Sequence, residues 1–144
     1  MMKPFEVFST TADVGIRISG ADYRDLYRNA VLGFNELAFG YGAEMERLDE
    51  QIPEYRDWEF SGDSPENVLV NLLSEVSYLL YTKGNITKEM DIKAAGEDQI
   101  TVQFLLVPLP DEIQPELEVK SVTYHNLKVE EKNNFKTAEI IVDI

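Results

Sequence analysis

Acidic groups near the two ends of the sequence are the residues whose types and spacing could do chemistry. Asp13 lies in a small polar turn, TTADVG at 10–15, directly before an apolar segment, and Asp143 and Ile144 close the sequence after an apolar strand pattern. That pattern indicates that Ile144 is held in place, with its α-carboxylate beside the Asp143 side chain. Two fixed anionic groups repel each other unless a cation lies between them, and calcium or magnesium prefers such oxygen ligands.

Each of these residues also has an interpretation without function. Asp13 can be a turn-initiating aspartate, which the local pattern alone favours, because aspartate is common in turns. The acidic group formed by Asp143 and Ile144 can simply be solvated. Lys120 stands where the apolar pattern changes phase, and it can serve as a counter-charge if it turns toward Asp13 or Asp143. Spacing alone favours a lysine that faces solvent.

Most other catalytic constellations are absent from the sequence. It contains no cysteine and a single histidine, His125, which excludes thiolate chemistry, iron–sulfur clusters and a histidine-based metal cluster. No Gly-x-Ser-x-Gly motif, phosphate-binding glycine-rich loop or EF-hand loop occurs. His125 follows Tyr124 in a predicted strand, where a lone histidine is more often a packed or edge residue than a catalyst.

The charge balance argues against a general nucleic-acid-binding protein. The 144 residues include 27 Asp+Glu and 13 Lys+Arg, a formal net charge of −14, and the basic residues are scattered along the chain. A basic face that could displace phosphate counterions is therefore not expected, and the acidity also disfavours anionic membranes. Neither a signal-peptide core nor an apolar stretch of about 18 residues is present. We expect a soluble, acidic, cytoplasmic protein.

Two amphipathic helices and a set of strands must position the acidic groups. Apolar residues recur at helical spacing over 23–38, with Asp22 as N-cap and Gly40 as the stop. A second helix is predicted after Ser64, its N-cap, and ends before Gly84. Period-two alternation predicts further strands at 5–9, 14–19, 55–61, 86–92, 99–107 and 135–144.

The 116–130 segment is predicted to be an irregular strand. Its apolar positions change phase twice, which indicates a bulge or bend near 120–121 and another near 125–126. The 44–54 segment is either a loop or a strand in which apolar and polar residues alternate only weakly. Together the elements predict a single α+β domain over 1–144, with two layers, a mixed β-sheet and two main helices packed on one face.

The order and spacing of these motifs resemble the archease family. The likeness lies in TADVGI at 11–16, KSVTYHNLKV at 120–129 and IIVDI at 140–144, with VLVNLLSE at 68–75 similar to the family's second helix. It covers the whole chain. Two positions depart from the family pattern, since Thr10 stands where a histidine is usual and Phe135 stands where a tryptophan is common.

This resemblance implies an accessory protein rather than a self-sufficient enzyme. Archeases assist the tRNA-splicing RNA ligase, which joins ends bearing a cyclic phosphate or a 3′-phosphate to 5′-hydroxyl ends, and they promote guanylylation and turnover of the ligase. The family's metal site, usually described with calcium, corresponds here to Asp13, Asp143 and Ile144. Lys120 matches a position held to matter for activation. The implied cofactor is a divalent metal, calcium, and the implied partner is the ligase.

Two other functions fit the same residues. One is a small divalent-metal-dependent phosphoester hydrolase that uses Asp13 and Asp143 with Asp63 or Glu75. The single histidine and the lack of a recognisable general base argue against it. The other is a metal-binding chaperone-like module or a plain binding domain whose acidity maintains solubility. Phosphoester turnover without a partner would favour the hydrolase. A melting temperature that does not change when calcium is added would favour a plain binding domain.

Overall fold

The computed structural model describes residues 3–40 and 51–144. Most of the 44–54 segment, for which the sequence left loop and strand open, lies outside these ranges. Within them the chain forms eight strands and two helices. In chain order they are β1 (Phe5–Ser9), β2 (Val14–Gly20), α1 (Tyr23–Phe39), β3 (Glu54–Ser61), α2 (Pro65–Tyr81), β4 (Asn85–Ala95), β5 (Gln99–Pro108), β6 (Ser121–Val122), β7 (Glu130–Lys132) and β8 (Phe135–Asp143).

Local capping chemistry defines both helices, as the sequence predicts. The Asp22 side chain accepts a 2.8 Å hydrogen bond from the N–H of Asp25 at the start of α1. Gly40 ends that helix with φ +71°, a conformation that favours glycine. Ser64 accepts a 3.1 Å hydrogen bond from the N–H of Asn67 at the start of α2. These caps satisfy backbone donors that would otherwise be unpaired.

The strands form two sheets in which every described pairing is antiparallel. Sheet A has the order β1-β2-β8-β6, with β7 also pairing β8, and sheet B has the order β3-β5-β4. The α+β class is therefore confirmed, whereas the expected single mixed sheet is replaced by two antiparallel ones. The reason lies in β3 and β4, which precede and follow α2 in the sequence and run in the same direction. Because β5 pairs between them, no parallel ladder forms.

One apolar core joins the helices to both sheets. Helix α1 contacts β1, β2 and β8 of sheet A and β4 of sheet B, whereas α2 contacts sheet B and β6. The largest fully buried side chains include Phe34 of α1, Leu72 of α2 and Phe104 of β5. Each such side chain contributes roughly 1.5–3 kcal/mol through burial. None of the described helices has the length and apolar character needed to cross a membrane.

The irregular strand predicted over 116–130 is confirmed only in part. Only Ser121–Val122 and the residues from Glu130 onward pair with β8. Between them the chain turns, since Asn126 has φ +52° and the N–H of Leu127 donates to the Tyr124 carbonyl at 3.0 Å. The phase change near 125–126 is therefore a bend, one of the two possibilities that the sequence indicated, and the chain leaves sheet A after Val122 and rejoins it at Glu130. The described register shifts lie in β4 instead.

Candidate functional site

The β2–β8 ladder brings Asp13 and Asp143 to the same end of sheet A. Val14 pairs with Val142, and Asp13 directly precedes the first of these residues while Asp143 directly follows the second. Val14 and Val142 both pack toward the core. Because successive strand residues point to opposite faces, the two aspartates belong to the outer face of the sheet. Residues far apart in the sequence thus lie at the same end of two adjacent strands, β2 and β8, in the interior of sheet A.

The turn before β2 is ordered by the side chain of Thr10. Its Oγ1 accepts hydrogen bonds from the N–H of Asp13 at 2.9 Å and from the N–H of Ala12 at 3.2 Å. The N–H of Thr10 donates to the Asp13 carbonyl at 2.7 Å. A hydroxyl therefore fixes the backbone that presents Asp13.

Asp143 is held from the β6 side. Ser121 pairs with Asp143 in the ladder, and its Oγ donates to Oδ2 of Asp143 at 2.9 Å. The main-chain N–H of Lys120 donates to the Asp143 carbonyl at 2.7 Å. The Lys120 side chain is exposed, and among the described residues its ammonium forms no ion pair with either aspartate. The backbone of Lys120 therefore contacts the site, whereas its side chain does not serve as a counter-charge to Asp13 or Asp143.

Ile144 lies beyond the last strand and is half exposed. The alternating pattern predicts burial of Ala138, Ile140, Val142 and Ile144 on one face, and the first three are buried. Strand β8, however, ends at Asp143, and Ile144 is 51% exposed. The prediction fails at this residue because the ladder and the apolar neighbours end one position earlier.

The oxygen donors at this end of β2 and β8 suit a hard cation. In residues 3–40 and 51–144, no cluster of three or more His, Cys, Asp or Glu side chains is arranged to hold a metal. The groups present are the carboxylates of Asp13 and Asp143, the hydroxyl of Ser121 and main-chain oxygens, because the Thr10 hydroxyl already accepts from two N–H groups. Such an all-oxygen set fits calcium or magnesium and lacks the nitrogen and sulfur ligands typical of zinc.

The other candidate residues do not join this group. His125 lies exposed in the turn after β6, where its main-chain N–H donates to Thr123 Oγ1 at 3.2 Å. Asp63 precedes α2 and Glu75 lies on it. In the part of the chain that the structure describes, no hydrogen bond or ion pair links these side chains to Asp13 or Asp143.

A groove of about 530 Å³ lies farther along the same outer face of sheet A. At its centre Arg17 donates from Nε to Glu139 at 2.7 Å and from Nη1 to Glu6 at 3.3 Å. Hydrogen bonding from Lys3, and then from Arg17, holds the pKa of the Glu6 carboxyl below its ordinary value. These charges neutralise one another, so the centre of the groove offers no group poised for proton transfer.

Sequence reasoning missed the contacts that hold the segment after β6. Glu66 Oε2 accepts a 2.6 Å hydrogen bond from the N–H of Val129, and Asn67 Nδ2 donates to the Tyr124 hydroxyl at 2.8 Å. The role of Ser121 was also missed. Its only signal is its position opposite Asp143, which becomes visible once the β6–β8 register is known.

Comparison with known proteins identifies both the fold and the family. A solution structure of Methanobacterium thermoautotrophicum protein 1598 superposes with a TM-score of 0.72, at 21% identity, over 99% of this chain and 100% of that chain. The crystal structure of an archease from Thermotoga maritima, described there as a possible chaperone, gives a TM-score of 0.61 at 24% identity over 100% and 98% of the two chains. These similarities show that the α+β architecture is shared.

Sequence similarity shows the family directly. Residues 5–144 match the Archease protein family (MTH1598/TM1083). Thermoplasma volcanium protein archease is 29% identical over 143 residues, covering 97% of this chain and 98% of the relative, and the Thermoplasma acidophilum protein is 28% identical over 140 residues, covering 97% and 93%. The chain belongs to the archease family.

Proposed function

We propose that this protein is a non-catalytic, cytoplasmic activator of the tRNA-splicing RNA ligase, which promotes guanylylation of the ligase and its turnover. Membership of the archease family supports an accessory role over an independent enzyme. The observation that carries the proposal is the Val14–Val142 pair, because Asp13 and Asp143 are the next residues at the same end of the adjacent strands β2 and β8.

The proposed cation is calcium, bound by the carboxylates of Asp13 and Asp143 and by main-chain oxygen of Ile144. The donor chemistry supports this assignment, since calcium takes six to eight oxygen ligands. When bound, the ion supplies positive charge of the kind that stabilises a transferring phosphoryl group. Asp143 contributes a carboxylate already oriented by Ser121, and Asp13 contributes one presented by an ordered turn.

Electrostatics supports a basic partner. The chain has a formal net charge of −14, which steers it toward a positively charged, RNA-binding ligase and away from RNA itself. The Lys120 side chain is exposed beside the site, and its backbone is fixed by the bond to the Asp143 carbonyl. In this proposal its ammonium contacts the ligase or the phosphate being transferred.

A single-turnover guanylylation assay tests the proposal. The tRNA-splicing RNA ligase of the same organism is incubated with GTP, with and without this protein. The wild-type protein should accelerate guanylylation, and Asp13→Asn, Asp143→Asn and Lys120→Met should each remove most of that acceleration. The matched control is Asp111→Asn, because Asp111 is exposed and its carboxylate makes no hydrogen bond within the described chain.

The same assay separates the competing functions. No acceleration by the wild-type protein would overturn the activator proposal. Full acceleration by the Asp13→Asn variant would overturn the site assignment. Hydrolysis of a phosphoester by this protein and metal, with the ligase omitted, would establish the hydrolase that uses Asp13 and Asp143. Circular dichroism of each variant confirms that a loss of acceleration is not a loss of fold.

A further inference from the structure

Two hydroxyl groups contact the candidate cation ligands, one on each side of the site. Ser121 Oγ donates to one carboxylate oxygen of Asp143, at 2.9 Å. Thr10 Oγ1 accepts from the main-chain N–H of Asp13, at 2.9 Å. Neither serine nor threonine at these positions is required by core packing, since both residues are exposed.

The Ser121 contact restricts the orientation of the Asp143 carboxylate. The terminal torsion of aspartate is broad, so an exposed carboxylate on a strand samples many orientations. A hydrogen bond to Oδ2 selects one of them and leaves Oδ1 without a protein donor in the described chain. Ser121 is itself fixed, because it pairs with Asp143 in the β6–β8 ladder.

The Thr10 contact acts on the other carboxylate through the backbone. The hydroxyl binds the N–H of Asp13 while the N–H of Thr10 binds the Asp13 carbonyl at 2.7 Å. Both main-chain polar groups of Asp13 are thereby tied to one residue. The side chain then leaves the turn in a defined direction at the first position before β2.

We infer that Thr10 and Ser121 are positioning residues, which hold the Asp13 and Asp143 carboxylates in the arrangement that a divalent cation requires. The inference rests on the proposed function, because it takes the cation site as given. Groups that orient metal ligands commonly change metal affinity by about tenfold or more when removed.

Calcium titration calorimetry on the full-length protein tests this inference. Ser121→Ala and Thr10→Ala should each weaken calcium binding by about tenfold, because the carboxylates lose their fixed orientation. Ser121→Thr and Thr10→Ser keep the hydroxyl and should restore the affinity. The matched control is Ser9→Ala, since Ser9 is exposed near the same turn and its hydroxyl makes no hydrogen bond within the described residues.

Thermal unfolding in the presence of a chelator distinguishes a positioning role from a structural one. The melting temperatures of the metal-free alanine variants should match that of the wild-type protein within about 2 °C, which corresponds to well under 1 kcal/mol. Wild-type calcium affinity in both alanine variants would overturn the inference while leaving the site intact. Failure of the conservative variants to restore binding would also overturn it. Absence of calcium binding by the wild-type protein would overturn the proposed site itself.

Discussion

The Glu66 carboxylate accepts a 2.6 Å hydrogen bond from the main-chain N–H of Val129. Glu66 lies in the first turn of α2, where the helix dipole favours a negative charge. Next to it, Asn67 donates to the hydroxyl of Tyr124 at 2.8 Å. The start of α2 therefore holds the segment between β6 and β7 near both of its ends, and Leu127 and Val129 of that segment also pack against the core.

Glu66→Ala should lower the free energy of unfolding by about 1.5–3 kcal/mol, because a hydrogen bond to a charged acceptor is lost. The main-chain N–H of Val129 then no longer has the Glu66 carboxylate as its acceptor. Urea unfolding measures this change. Hydrogen exchange at the Val129 amide should accelerate at the same time. Glu75→Ala, on the same helix, is the control, and it should change the stability by less than about 0.5 kcal/mol. Equal effects of the two substitutions would contradict the assignment.

Calcium should raise the melting temperature of the wild-type protein. A ligand that binds only the folded state stabilises it by about 2.7 kcal/mol at a concentration one hundred times its Kd. The shift should disappear in Asp143→Asn, which keeps the size of the side chain but removes its charge. Differential scanning calorimetry with and without calcium measures the shift. An equal shift in the variant would place the bound ion elsewhere.

Stability should fall at high pH through Tyr27. Burial raises the pKa of the Tyr27 hydroxyl above its ordinary value, with Tyr23 adding a smaller contribution. The unfolded chain loses this proton near pH 10 while the folded chain keeps it, so the stabilising contribution is complete below that pH and is lost as the pH rises toward the folded-state pKa. Each such proton changes the free energy of unfolding by up to about 1.4 kcal/mol per pH unit.

Tyr27→Phe isolates this contribution. Urea unfolding between about pH 9 and 11 should show a shallower decline for the variant than for the wild-type protein. At neutral pH the variant should be less stable by about 1 kcal/mol, because the hydroxyl no longer donates to the Gly96 carbonyl at 2.6 Å. Parallel pH profiles for the two proteins would show that Tyr27 titrates normally.

Gly33→Ala should destabilise the fold although alanine is the better helix former. A methyl group at this position would lie 2.6 Å from Cγ2 of Ile16 and 3.2 Å from Cβ of Phe5, where α1 crosses sheet A. Overpacking costs about 1–3 kcal/mol, which exceeds the gain of about 1 kcal/mol in helix propensity. Thermal unfolding measures the result, with Ser74→Ala on the exposed side of α2 as control. A higher melting temperature for Gly33→Ala would show that this contact can relax.

The helices could be predicted almost completely because their signals are local. Asp22, Gly40 and Ser64 fix three helix boundaries through hydrogen bonds or backbone angles within a few residues. Strands with one buried face were equally clear, and β1 has the bounds expected from its alternation. The turn before β8 also follows from its residues, since Asn133 and Asn134 adopt positive φ angles.

Features that depend on distant partners could not be read from the sequence. The alternation in 116–130 suggested a strand, but whether such a segment pairs depends on which neighbour is available, and only Ser121–Val122 and β7 find β8. Ile144 continued an apolar pattern beyond the last residue that had a partner. The separation into two sheets depends on β5 pairing between β3 and β4, a choice that local periodicity does not encode.

The pairing of β2 with β8 has a consequence for biosynthesis. Because Val14–Gly20 precedes Phe135–Asp143 in the sequence, β2 leaves the ribosome well before β8 is made. Until residues around Val142 have emerged from the ribosome, β2 lacks one of its two neighbours and Asp13 has no companion carboxylate. If the proposed cation site exists, a chain whose translation has not passed Val142 is therefore unable to form it.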